Sequence, residues 1–208
     1  IFIEKLFNSL EDDDFVACGD AASACVAFQA APLRLGQRLT SNASAGAMGH
    51  DLPSAIGAAV ARKGKRVICL AGDGSIMMNL QELQTMAFNR LPIGIFIMNN
   101  GGYLSIRRTQ KNFFGRYIGE SSSSGISFPD FASVAKSFGL PAFKLNDKNF
   151  INQLGIILST KVPWLCEVRI NPDIGFEPCI VSTSLPDGSL VSSQLDNMFP
   201  FLQDIEKI

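Results

Sequence analysis

Asp73, in Gly72-Asp73-Gly74-Ser75, and Asn100, in Asn99-Asn100-Gly101-Gly102-Tyr103, are the residues of this chain whose types and spacing best fit chemistry. A carboxylate and an amide oxygen are hard ligands. Magnesium takes six oxygens in octahedral geometry and draws several of them from phosphates, so two protein side chains are enough. Gly72 and Gly74 let the backbone turn sharply and come close to a ligand, while Ser75, at the start of a helix, offers a hydroxyl and free amides to an anion. The chemistry implied is the holding of a magnesium-diphosphate group.

The elements around them fit that task. Residues 66–71 (RVICLA) and 93–98 (IGIFIM) are apolar, β-branched runs that predict strands, and the amphipathic stretch between them predicts a helix. Right-handed crossovers lay such parallel strands side by side, so residues just past their carboxyl ends line one crevice. Asp73 and Asn100 are therefore expected to converge. Residues 15–20 (FVACGD) predict another strand, ending in Gly19, and residues 164–170 a further one. Helices are expected over 1–10, 22–30, 50–62, 79–89, 130–138 and 147–159. In the 79–89 helix Leu80, Leu83 and Ala87 form a packing face, and Glu82 among them reads as structural. The fold class is α/β, a doubly wound, mostly parallel sheet with helices on both faces. Residues 1–174 are expected to form one domain and the Pro- and Ser-rich residues 175–208 a tail. Residues 119–128 (GESSSSGISF) read as a loop too polar to pack.

Composition narrows the function classes. The chain has 208 residues, 47% of them hydrophobic, which is enough for one sizeable core. Lys and Arg total 18 against 19 Asp and Glu, so there is no basic field for nucleic acid. The apolar runs are all shorter than the roughly 18–20 residues of a membrane span, and the amino end lacks a signal-peptide pattern. A cytoplasmic location without membrane or nucleic-acid partners is expected. Cys18, Cys25, Cys69, Cys166 and Cys179 are odd in number and contain no Cys-x-x-Cys pair, which argues against a disulfide framework and a zinc site; most are expected to be small core residues. His50 is the only histidine, which leaves little room for a histidine-based triad. A dinucleotide site would need Gly-x-Gly-x-x-Gly, and residues 72–77 (GDGSIM) lack the third glycine.

A Gly-Asp-Gly separated from Asn-Asn by the 24 residues from Ser75 to Met98 resembles the motif of thiamine diphosphate (ThDP) enzymes. Residues 40–59 (TSNASAGAMGHDLPSAIGAA) resemble the segment that carries the cofactor's aminopyrimidine in acetolactate synthase and related 2-oxo acid enzymes, and residues 186–202 are similar to the closing tail of such chains. The resemblance implies ThDP and magnesium as cofactors. Asp73, Asn100 and the Gly102 carbonyl would be the metal ligands, and Gly74 and Ser75 would hold the diphosphate, with Gly19, Gly72 and Tyr103 around it. The Gly46 carbonyl would meet the exocyclic amine, and Met48 would meet a ring nitrogen and prop the cofactor in a bent shape. Asp20 departs from the pattern, and its side chain is expected to cap the helix beginning near Ala21.

The family's activity is decarboxylation or carboligation of a 2-oxo acid such as pyruvate. The activating glutamate is expected on a separate pyrimidine-binding domain, in a homodimer or homotetramer, so this chain alone is expected to be an inactive half-site, and its start at Ile1 suggests a fragment of something longer. Two alternatives are a simple decarboxylase and a non-catalytic ThDP-binding module supporting a partner subunit. Acetolactate synthases carry a tryptophan about nine residues beyond the metal asparagine, where this chain has Arg107, Arg108 and Thr109. Either arginine could meet an anionic substrate group. Phe113, Phe114, Arg116 and the Ser/Gly loop are candidates for a lid over the cofactor.

Overall fold

The computed structural model describes residues 1–20, 22–145, 150–175 and 177–200, with the backbone alone at 22–24. It divides into two units, Ile1–Asp173 and Ile174–Ile208. In the first, six strands form one parallel sheet: β1 (Phe15–Cys18), β2 (Arg38–Thr40), β3 (Val67–Gly72), β4 (Ile93–Asn99), β5 (Ala142–Leu145) and β6 (Trp164–Arg169). Their order is β2-β1-β3-β4-β6-β5, every pair parallel.

The helices are α1 (Phe2–Ser9), α2 (Ala22–Ala30), α3 (Asp51–Ala61), α4 (Asp73–Ile76), α5 (Glu82–Phe88), α6 (Leu104–Phe113), α7 (Phe131–Ser137) and α8 (Phe150–Leu158). They cover both faces. One apolar cluster joins Leu6 and Phe7 of α1 and Leu154 and Ile157 of α8 to Val16, Ile68, Phe96 and Cys166 of the sheet. The other joins Leu52 and Ala55 of α3, Leu83 and Met86 of α5 and Phe131 of α7 to Ala17, Val67, Ile95 and Leu165. Burial on both faces is why the central strands read as unbroken apolar runs rather than as alternating ones. Gly94 is the exception that packing requires: a Cβ there would lie 2.1 Å from the Trp164 ring, which stacks edge-on against Phe96.

Several expectations change. The helix expected over 79–89 is α5, which starts later, at Glu82, and is preceded by an unexpected short α4 that begins at Asp73 with Gly72 in the cap position and by a 3-10 turn over Met77–Asn79. Ser75 is therefore inside that first short helix rather than at its start. Two edge strands, β2 and β5, were not expected, and neither was α6. The expected cap of α2 by Asp20 falls at Ala21, outside the described residues, as does the start of the 147–159 helix at residues 146–149. Among the cysteines, Cys18, Cys69 and Cys166 are buried, Cys179 is half-buried and Cys25 is exposed, and none of the five forms a disulfide. Burial pushes the Cys18 and Cys166 thiols up to about 12, as for inert core residues.

The second unit has regular structure of its own. β7 (Ser182–Ser184) and β8 (Leu190–Ser192) form an antiparallel hairpin, closed by a turn in which Gly188 has φ +83°.

Candidate functional site

The strand order reverses between β1 and β3, and at such a switch point the two following loops diverge and leave a crevice at the carboxyl edge. A cavity of about 280 Å³ opens there. It is lined from the β3 loop by Gly72, Asp73, Gly74 and Ser75, from the β4 loop by Asn100, Gly102 and Tyr103, and from the segment before α3 by Gly46 and Met48. Gly19 does not line it; its amide donates to the Leu70 carbonyl at 2.7 Å and extends the β1–β3 ladder by one residue.

Asp73 is 1% exposed. Its Oδ1 accepts the Gly74 amide at 2.9 Å and its Oδ2 the Gly102 amide at 3.0 Å, so one carboxylate ties the two loops together. Burial pushes its pKa up to about 6 against the opposing effect of the Gly102, Gly74 and Gly101 amides. Asn100 is 6% exposed, and its Oδ1 is buried without a hydrogen-bond partner. Leaving a buried acceptor unmade costs about 1–3 kcal/mol, so a stranded amide oxygen in the cavity that the Asp73 carboxylate also lines could serve with it as a cation ligand. No cluster of three or more His, Cys, Asp or Glu occurs among the described residues.

Gly74 and Gly102 are fixed by close approach. A Cβ on Gly74 would lie 2.1 Å from the Tyr103 ring, and one on Gly102 would lie 2.1 Å from the Glu120 carbonyl. The Tyr103 ring thus lies against the β3 loop at Gly74, and it is edge-on to Phe128 at 5.8 Å. Ser75 does a job that its motif did not suggest. Its Oγ accepts the Gly49 amide at 2.8 Å, while Asn79 Nδ2 donates to the Gly49 carbonyl at 2.6 Å, binding the Gly46–Met48 segment to the β3 loop. Behind it, the fully buried Asp51 has its pKa raised by burial, opposed by the Ser75 hydroxyl.

Five further residues line the cavity: Asp20, Met98, Leu104, Ser105 and Ile106. Asp20 points a carboxylate oxygen at the Gly46 backbone, 3.5 Å from where a Cβ would be. Leu104 and Ile106 are apolar positions at the start of an otherwise polar helix, and that contrast was the available signal for them.

Arg107 is engaged within the chain. Its Nε pairs with Glu120 Oε2 at 2.5 Å and its Nη1 donates to the Pro172 carbonyl at 2.7 Å. Arg108, His50, Phe113, Phe114 and Arg116 lie outside the cavity lining, and Glu82 accepts from Thr85 within its own helix at 2.8 Å. Residues 119–128 are half-exposed or exposed apart from Glu120, which anchors them. Glu120 is 3% exposed and accepts from Ser121 and Arg107, while its carbonyl takes the Tyr103 amide at 2.8 Å. The serines supply the polar groups that let a carboxylate be buried there.

Comparison with known proteins agrees with this geometry. The chain is 38% identical over 132 residues to an acetolactate synthase large subunit of Parasynechococcus marenigrum, covering 62% of this chain and 21% of that protein. It is 44% identical over 142 residues to the acetolactate synthase large subunit of Porphyra purpurea, covering 67% and 24%. The chain thus spans about a quarter or less of the length of these relatives. In structure it is similar to a thiamine diphosphate-dependent 4-hydroxybenzoylformate decarboxylase of Rhodococcus jostii RHA1, with a TM-score of 0.70 and 26% identity over 82% of this chain and 32% of that one. Residues 20–168, from Asp20 at the cavity to Val168 in the last core strand, match the thiamine pyrophosphate enzyme family in its C-terminal TPP-binding domain, and to that family this chain belongs.

Proposed function

We propose that this chain is the diphosphate- and magnesium-holding half of a ThDP-dependent 2-oxo acid decarboxylase or carboligase of the acetolactate synthase type. The observation that carries the reading is the stranded Asn100 Oδ1 beside the buried Asp73 carboxylate, in the same cavity as Gly46 and Met48. Asp73, Asn100 and the Gly102 carbonyl would hold the metal, and Gly74 and Ser75 would hold the diphosphate through amide and hydroxyl groups, the Gly74 amide being shared with Asp73 Oδ1. Gly46 and Met48 would hold the aminopyrimidine. When bound, the cofactor supplies an electron sink for carbanion chemistry beside a carbonyl.

The chain's own contribution is to bind, orient and keep dry. Asp73 and the Gly102 amide hold the β3 and β4 loops at a fixed separation. Met98, Leu104 and Ile106 give the cavity an apolar wall, which strengthens electrostatic interactions inside it. The glutamate that activates the pyrimidine ring nitrogen would come from a pyrimidine-binding domain, in the same longer polypeptide or in a second subunit, with assembly into a dimer or tetramer. Domain limits of 1–174 for the cofactor-binding part and 175–208 for the tail belong to the same proposal, as does a cytoplasmic location.

Calorimetric titration with ThDP at fixed magnesium tests the metal assignment. Asp73→Ala and Asn100→Ala are expected to abolish magnesium-dependent binding, with Asn100→Ala leaving the melting temperature within a few degrees of wild type. Unchanged affinity in both variants would remove Asp73 and Asn100 as ligands.

A further inference from the structure

Glu167 stands out in β6, where Trp164, Leu165, Cys166 and Val168 are buried apolar neighbours and this carboxylate is 2% exposed. A carboxylate in a core strand is costly unless its charge and lone pairs are met. Here they are met from three sides: Lys144 Nζ lies 3.5 Å from Oε2, Arg169 Nε 3.4 Å from Oε1, and the Asn99 side-chain amide donates to Oε1 at 2.7 Å. The first two are long, partly exposed pairs. The third is short and leads to the proposed metal site.

Asn99 ends β4 one residue before Asn100. Its Nδ2 faces Glu167, and its Oδ1 accepts the Gly101 amide at 2.9 Å. An ionised carboxylate can only accept and a backbone N–H can only donate, so the two groups fix which way the Asn99 amide points. With the amide flipped, two donors would face each other at Gly101 and two acceptors at Glu167. The Gly101 turn that this amide closes has φ +71°. It carries the chain round so that the Asn100 side chain enters the cavity and the Gly102 amide reaches Asp73.

We propose that Glu167 is a positioning residue: acting through Asn99, it sets the conformation of the loop that carries Asn100 and Gly102. Its consequence for cofactor binding rests on the function proposed above, but its effect on the loop does not. Neither residue lines the cofactor cavity, and both act from behind it, as partners that orient metal ligands do.

The test uses the full 208-residue chain and two isosteric changes. Asn99→Asp keeps an oxygen for the Gly101 amide but turns a carboxylate towards Glu167. Adding Glu167→Gln restores a donor facing an acceptor, with the roles exchanged. Amide hydrogen exchange without cofactor is the first readout. Asn99→Asp is expected to speed exchange at Gly101 and Gly102 about tenfold or more while Ile95 and Ile97 in β4 stay as in wild type, and Asn99→Asp/Glu167→Gln is expected to return both glycines to near the wild-type rate.

Calorimetry with magnesium and ThDP is the second readout, where Asn99→Asp is expected to weaken binding by about 10–100-fold and the double variant to recover it. Unchanged exchange at the two glycines in Asn99→Asp, no recovery in the double variant, or a rise shared equally with Ile95 and Ile97 would each overturn the proposal. A loop effect as expected in a chain whose wild type shows no heat with magnesium and ThDP would support the positioning role and overturn the function proposed above instead.

Discussion

Gly74 and Gly94 have the same requirement for opposite reasons. At each, an added Cβ would lie 2.1 Å from an aromatic ring, so Gly→Ala at either position overpacks the site, at a typical cost of about 1–3 kcal/mol. Gly94 faces Trp164 within the core, whereas Gly74 faces Tyr103 over the cavity. Both variants are therefore expected to lower stability in urea melts, and only Gly74→Ala to weaken ThDP binding as well. Tyr103→Ala in the Gly74→Ala background is expected to recover stability because it clears the clash. Equal loss of cofactor affinity in both alanine variants would mean that the effect is general loosening. The glycines of the Gly-Asp-Gly motif were legible in the sequence as a place where backbone and ligand approach closely. What was not legible was that Tyr103, 29 residues on, occupies the space the second glycine leaves, because aromatic contact across two loops has no sequence period.

The helix α6 and the segment that follows it show where sequence patterning runs out. In Leu104–Phe113 only Leu104 is buried, so no apolar stripe marks a helix, and the run of serines at 121–124 suggested a loop with nothing to hold it. The edge strands β2 and β5 are three and four residues long and mostly half-exposed, so they lack the continuous apolar character that announced β3, β4 and β6. What holds the serine segment is an ion pair 13 residues apart, Arg107 with Glu120. Removing one partner of a buried pair leaves the other uncompensated, so Arg107→Ala is expected to cost about 3 kcal/mol and to speed hydrogen exchange over residues 119–126.

The same pair sets a pH dependence. Burial raises the Glu120 carboxyl, but the Ser121, Arg107 and Ser124 groups outweigh it and hold it below its usual value. A lowered folded-state pKa means that the stabilisation is complete above the ordinary glutamate range and is lost as the pH falls through the lowered value. Protection of residues 119–126 is thus expected to fall in acid for the wild type, and Glu120→Gln to flatten that dependence. An acid-insensitive wild-type segment would show that the pair does not hold it.

At the scale of the whole molecule, the cavity carries at Asp73 and Asn100 the end that the proposed function gives to the metal, and few carboxylates elsewhere in its lining. Asp20 and Asp73 are the only carboxylates lining it among the described residues, and Asp73 is committed to the two loops. The isolated chain is accordingly expected to bind magnesium and ThDP yet to exchange the cofactor's thiazolium proton slowly, since the loss of a positioned acid-base group costs about 10²–10⁴ in rate. Supplying a pyrimidine-binding region is expected to restore exchange, followed by NMR in deuterated water. Normal rates in the isolated chain would place an activating carboxylate within these residues. A second expectation concerns specificity. Where acetolactate synthases carry an acceptor-selecting tryptophan, this chain has Thr109, exposed on α6, so competition between 2-oxobutyrate and pyruvate in the complete enzyme is expected to show no strong preference for the former.

β6 enters the sheet between β4 and β5, although it is made after both. During synthesis β5 therefore has no strand to pair with, and the long apolar β4 presents an open edge until Trp164–Arg169 have left the ribosome. An unpaired, flat, hydrophobic strand is a template for pairing with another chain. The nascent protein passes through an aggregation-prone interval whose length is set by the rate of translation between Asn99 and Arg169, and polypeptides stalled or cut before Trp164 should be clients of chaperones rather than stable intermediates.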